Sequence, residues 1–131
     1  MAITVVRFGT PRQPGEGPRL GTVRRPPRGV PKEDYATRDY YDVWFPNLAP
    51  SVETMKLGLQ SQREHDDRAL ARFERAYRKE MAAPDAARTL DVLATLSHHA
   101  DFAVGCYCED ESRCHRRILR ELLAERGAAI R

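Results

Sequence analysis

The chain has 131 residues, a formal net charge of +3 and 41% hydrophobic residues spread along its length, enough for one buried core but not for two independent domains. Its 31% charged residues suit a globular surface, and the apolar content argues against wholesale disorder. No run approaches the roughly 20 apolar residues that span a bilayer, and Met1 to Phe8 is too short and lacks the basic start of a secretion signal, so a cytoplasmic protein without a membrane partner is expected.

Ile3 to Phe8 is a β-branched run typical of a buried strand. The Gly- and Pro-rich stretch Gly9 to Pro18 that follows breaks regular structure. Arg19 to Arg25 reads as a second strand stopped by Pro26-Pro27, and Tyr40 to Phe45 as a third, closed by Pro46. Pro50-Ser51 opens a helix with Ser51 as its cap. From Asp66 to Met81, Leu70, Phe73, Tyr77 and Met81 recur at helical spacing, with arginines and glutamates on the other face. Pro84 and Asp85 start another helix, with Leu90, Val92, Leu93 and Leu96 expected to face inward, that ends near His98-His99. Phe102 to Cys108 is apolar on both faces, as a central strand of a layered fold would be. The last helix is placed from about Ser112. The expected architecture is a single layered α/β domain, a short mainly parallel sheet flanked by helices in a Rossmann-like three-layer arrangement. It comprises a loop-rich segment 9–39, a helical segment 51–99 and a closing strand and helix over 102–127.

Charge is unevenly distributed. Residues 1–32 carry seven basic side chains against Glu16 alone, residues 33–111 nine against sixteen acidic, and residues 112–131 six against two. Two basic ends brought together would form a face for a phosphate, a nucleotide or a nucleic-acid backbone.

All three cysteines fall in one stretch, Phe102 to Leu119, at the junction of the last strand and helix. The carboxyl end of a strand in an open α/β sheet borders a natural crevice. The helical stripe Ile118, Leu119, Leu122 and Leu123 extrapolates through His115, which should therefore point inward at the sheet end. Cys106, Cys108, Cys114 and His115 are thus the candidates for catalysis, as nucleophile or redox thiol beside an imidazole. Arg24, Arg28, Lys32 and Arg116 are the candidates for binding charge. A phosphatase loop is excluded, since the sixth position after Cys108 is Cys114 and after Cys106 is Ser112, not arginine. No C-x-x-C motif supports an oxidoreductase. Zinc would accept these residue types, but adjacent Cys114 and His115 on one helix diverge, so no metal ligand set is assigned.

Further blocks carry a resemblance. Cys106 followed by Cys114-His115-Arg116, with Asp110 in the intervening loop, looks like the C-terminal signature of the bacterial domain of unknown function 488 family. Pro27 to Glu33, Trp44, Leu48 to Glu53, and Phe73 with Tyr77, Glu80 and Met81 resemble further blocks of that family in the same order. The resemblance spans about Arg19 to Leu123. It implies the layered α/β fold and no activity. Where many members carry an acidic residue and a tryptophan this chain has Val23 and Pro26, and Cys108 stands where related sequences often carry Glu.

The functional expectation is an α/β domain binding or processing an anionic ligand, whether nucleotide, phosphate ester or nucleic acid, at a crevice lined by Cys, His and Arg. The alternatives are a non-enzymatic nucleic-acid-binding or protein-interaction module using the basic termini, and a small metal-binding protein. Whether the chain is an enzyme, which cofactor it takes and its oligomeric state are not legible in the sequence.

Overall fold

The computed structural model describes residues 1–131. The first apolar run forms β1 (Ile3–Arg7), and the last forms β4 (Phe102–Cys106), buried along its whole length. Between them in sequence lie two short strands, β2 (Arg19–Gly21) and β3 (Val43–Trp44). The sheet order is β1-β4-β2-β3, and every pairing is parallel. The anticipated mainly parallel sheet is thus wholly parallel, and β4 occupies an interior position. A strand with a partner on each edge and a packed layer on each face has no use for polar side chains, which is why Phe102 to Cys106 reads as a continuous apolar run.

The helices are α1 (Val52–Glu64), α2 (Asp67–Met81), α3 (Pro84–Leu96) and α4 (His115–Glu125). Their starts follow local chemistry. Ser51 accepts a hydrogen bond from the Thr54 amide, Asp66 accepts from the amides of Arg68 and Ala69, and Pro84 occupies the first turn of α3, where an amide proton has no partner to lose. Phe73, Tyr77, Leu90, Ile118 and Leu119 bury one face of the sheet against Ile3, Phe102 and Val104. On the other face, Val6, Phe8 and Ala103 meet Tyr41, Val23 and the rings of Tyr35 and Tyr40. That third layer is built by the segment before β3, with its 3₁₀ turn at Lys32–Asp34, and contains no α-helix. No helix is long and apolar enough to cross a membrane.

Several boundaries differ from the sequence reading. Arg19 to Arg25 is a strand only as far as Gly21, and Tyr40 to Phe45 only at Val43–Trp44. Val92 and Leu96, expected inside, are 63% and 44% exposed, because α3 packs through Ala86, Leu90, Leu93 and Ala94 instead. The closing helix begins at His115 and not near Ser112, since a separate 3₁₀ turn takes up Glu111–Arg113.

Glu80 of α2 ties the start of α1 in place: its carboxylate accepts from the Ser51 amide at 2.8 Å, the Ser51 hydroxyl at 2.6 Å and the Thr54 hydroxyl at 2.5 Å. Burial pushes its pKa up, but these hydrogen bonds outweigh that and hold it below the ordinary value. Glu80→Gln should lower stability by about 1–2 kcal/mol near neutral pH, the range for a partly exposed charged hydrogen-bonding group. The unfolded chain takes up the proton first as pH falls, so the difference between wild type and variant should shrink below about pH 4.5. Urea denaturation across that interval measures it; a pH-independent difference would reject the assignment.

Candidate functional site

The carboxyl ends of β1, β2 and β4 open into one cleft of about 750 Å³. Phe8 follows β1, Cys106 ends β4 with Tyr107 and Cys108 after it, and Val23 to Arg28 follow β2. Four arginines line the cleft, Arg7, Arg24, Arg25 and Arg28, and no acidic side chain does. Arg24 donates to the carbonyls of Ala49 and Pro50, and Arg7 to the Tyr107 carbonyl, with Glu109 at 3.5 Å. The guanidiniums of Arg25 and Arg28 make no hydrogen bond or ion pair within the protein. Tyr40, Tyr107 and Phe8 supply aromatic wall, with the Tyr107 ring 6.0 Å from Phe8 and 6.1 Å from Tyr40 in edge-on packing. Pro26, Pro27, Met55 and Leu59 add apolar surface.

Cys106, Cys114 and His115 are buried together at the inner end of this cleft, their ligating atoms within 4.8 Å of one another. Cys106 and His115 line the cleft, and Cys114 does not. The sulfurs of Cys106 and Cys114 are in contact as a disulfide pair, with Cα atoms 7.7 Å apart. Cys114 is the N-cap of α4, with an extended backbone (φ −119°, ψ 152°). That conformation removes the divergence expected of two neighbours on one helix. Cys114 Sγ lies 3.8 Å from His115 Nδ1.

His115 is fixed from the other side. Its Nε2 lies 2.7 Å from the Thr22 carbonyl oxygen, which can only accept, so Nε2 carries the proton and Nδ1 offers a lone pair toward the sulfurs. Burial drives its pKa down to about 4, so the ring is neutral at physiological pH. The His115 and Tyr77 rings pack edge-on with centroids 5.6 Å apart. Thr22 has a second role, since its hydroxyl donates to the Gly105 carbonyl at 2.7 Å and accepts from the Gly105 amide at 3.0 Å. The side chain thus continues the β2–β4 contact where backbone pairing stops. Sequence reading missed Thr22, whose value depends on a backbone carbonyl and a partner 93 residues away.

The remaining candidates separate. Cys108 is a free thiol, half-buried, at the cleft wall, and Gln62 Nε2 lies 3.4 Å from its sulfur. Arg116 does not line the cleft. Its guanidinium is buried and donates to the Cys108 carbonyl at 2.8 Å, holding the turn after β4; burial lowers its pKa. Lys32 is exposed at the start of a 3₁₀ turn and also lies outside the cleft. Of the arginines expected to bind charge, Arg24 and Arg28 are in the cleft, and Arg25 and Arg7 join them.

Fold and site together define a parallel α/β domain with a basic cleft floored by cysteine and histidine. Residues 3–127 match the family model described as DUF488-N3a, "Active DUF488-N3 subclade". The chain therefore belongs to the DUF488 family, in agreement with the resemblance in its sequence blocks. No curated protein and no solved structure matches it.

Proposed function

We propose that this domain binds an anionic ligand with an apolar or aromatic portion, of the nucleotide or phosphate-ester class, in the cleft at the carboxyl edge of the sheet. The observation that carries this reading is the pair Arg25 and Arg28, two guanidiniums without protein partners on a cleft that holds four arginines and no carboxylate. Unpaired guanidiniums present planar donors suited to phosphate oxygens. The adjoining aromatic and proline surface suits a base or another flat apolar group. Cys108 is the thiol on the cleft wall outside the Cys106–Cys114 pair, and so the group on which a reaction with bound ligand would fall. The word "Active" in the family description is compatible with an enzyme, and no reaction follows from it.

Calorimetric titration with inorganic phosphate, a nucleoside monophosphate and a short single-stranded oligonucleotide tests the reading. The monophosphate should bind more tightly than phosphate, and the Arg25→Ala, Arg28→Ala double variant should bind it about 10- to 100-fold more weakly, the loss expected for charge-assisted hydrogen bonds. Equal affinity in wild type and double variant would reject the cleft as the site. If the oligonucleotide alone binds, with a steep salt dependence, the domain is a nucleic-acid module.

A further inference from the structure

We propose that Cys106, Cys114 and His115 together form a binding site for a transition-metal ion of the zinc class at the floor of the cleft. The site stands apart from the anionic-ligand reading and does not depend on it.

Four features of the geometry converge. First, two sulfurs and one imidazole nitrogen, all buried, lie within 4.8 Å of one another. Bond lengths of about 2.3 Å to sulfur and about 2.0 Å to nitrogen at tetrahedral angles place a sulfur and a nitrogen ligand about 3.5 Å apart. Cys114 Sγ and His115 Nδ1 are 3.8 Å apart.

Second, the histidine is presented as a metal ligand is. Nε2–H is committed to the Thr22 carbonyl and Nδ1 faces the sulfurs. A carbonyl behind the non-ligating nitrogen fixes both tautomer and ring orientation.

Third, the backbone sets Cys106 and Cys114, which pair in this structure, wide enough for the reduced thiols to part around an ion. Disulfides that close without backbone movement hold their Cα atoms within about 4.4–6.8 Å, and here the separation is 7.7 Å. Ligands on either side of an ion sit wider apart than bonded sulfurs do.

Fourth, Cys114 occupies the N-cap position of an 11-residue helix, whose positive end complements the negative charge of a metal-bound sulfur. Once a thiol or phosphine reductant has cleaved the Cys106–Cys114 bond, binding converts the two thiols to thiolates and releases two protons to solvent. Cys106 and His115 also line the cleft, so a further ligand can reach an ion held between them from that side, as in metal sites that keep one position open. Cys108 lies outside the cluster, its sulfur toward Gln62.

The test uses the full chain, reduced with a phosphine, stripped with chelator and titrated with Co(II) without oxygen, in buffer free of phosphate and nucleotide. A saturating one-to-one titration is expected, with an intense thiolate-to-cobalt charge-transfer band and the visible bands of a four-coordinate ion, both displaced by Zn(II). Cys108→Ser should retain the bands. Cys106→Ser and Cys114→Ser should lose thiolate intensity, and His115→Gln should weaken binding at least about tenfold, by loss of a ligand. X-ray absorption of the zinc-loaded wild-type chain gives the same answer without substitutions, with two sulfur neighbours and at least one nitrogen. Absence of stoichiometric uptake, one sulfur neighbour, or bands that disappear with Cys108→Ser would overturn the proposal, as would a Cys106–Cys114 disulfide that survives the reductant. Anion binding is measured separately on the stripped protein, so either reading can fail while the other stands.

Discussion

Glu16→Ala should cost about 3–5 kcal/mol of stability, the largest single loss expected from a side chain outside the core, because it leaves a buried guanidinium without its counter-charge. Arg19 is fully buried and Glu16 is 2% exposed. Their contact is bidentate, Nε to one carboxylate oxygen at 2.6 Å and one terminal nitrogen to the other at 3.2 Å. Arg19 also donates to the Asp39 carbonyl at 2.6 Å and reaches the Pro11 carbonyl at 3.4 Å. One side chain therefore holds the loop after β1 and the segment before β3 onto the base of β2. Glu16→Gln should lose less, since an amide retains one acceptor for the guanidinium. Replacing both residues by apolar side chains should recover only part of the loss, because two backbone carbonyls would then lack donors. Burial tends to raise the Glu16 pKa, but Arg19 and the Gln13 amide outweigh it and the pKa is lowered. The contribution is accordingly complete above the unfolded-state value near 4.5 and lost as pH falls through the lower folded value. Chemical denaturation at neutral and acidic pH measures both effects; a change under about 1 kcal/mol for Glu16→Ala at neutral pH would show that the pair does not matter.

The second large effect concerns Gly105. A Cβ at this position would overlap the carbonyl oxygen of Val6, its partner in the β1–β4 pairing. That neighbour is backbone and cannot swing aside as a side chain would, so relief requires separating the two strands. Gly105→Ala should therefore destabilise by about 3 kcal/mol or more, the upper end for overpacking in a core. The damage should reach the site, because the Gly105 amide and carbonyl anchor the Thr22 hydroxyl and the Thr22 carbonyl holds His115. Thermal unfolding should show a lowered midpoint. An alanine variant with wild-type melting temperature would contradict the packing described.

The parts of this architecture that could be read in advance are those encoded locally. Ser51, Asp66 and Pro84 mark helix starts because the capping interaction lies within three residues of the residue that makes it. Phe102 to Cys106 announces a doubly covered strand through composition alone. The inward aim of His115 follows from the phase of Ile118, Leu119 and Leu122, and a helix start misplaced by three residues leaves that phase unchanged.

What escaped depends on distant partners. β2 and β3 span three and two residues, too few for periodicity to register. Glu16 in the Gly/Pro-rich loop and Arg19 just after it look like ordinary solvated charges, and only the segment folded over them makes them a buried pair. The convergence of Cys114 and His115 required the extended backbone at the cap, which no spacing rule separates from one more helical residue. The charge of Arg116 is legible in sequence and suggests a cleft cation, whereas its burial against the Cys108 carbonyl is not legible there.

The interior place of β4 has a consequence for how the chain acquires its shape. The strand that joins β1 to β2 comes fourth of the four in chain order, and β1 meets its neighbour only across about a hundred residues. Helices α1 and α2 can pair early, but until residue 106 has emerged only the short β2–β3 pairing is available and β1 has no neighbour. Folding should thus be governed by a late, long-range closure and be slow relative to helical proteins of equal size. A ribosome-bound chain truncated before Phe102 should remain open to proteases however many of its helices have formed.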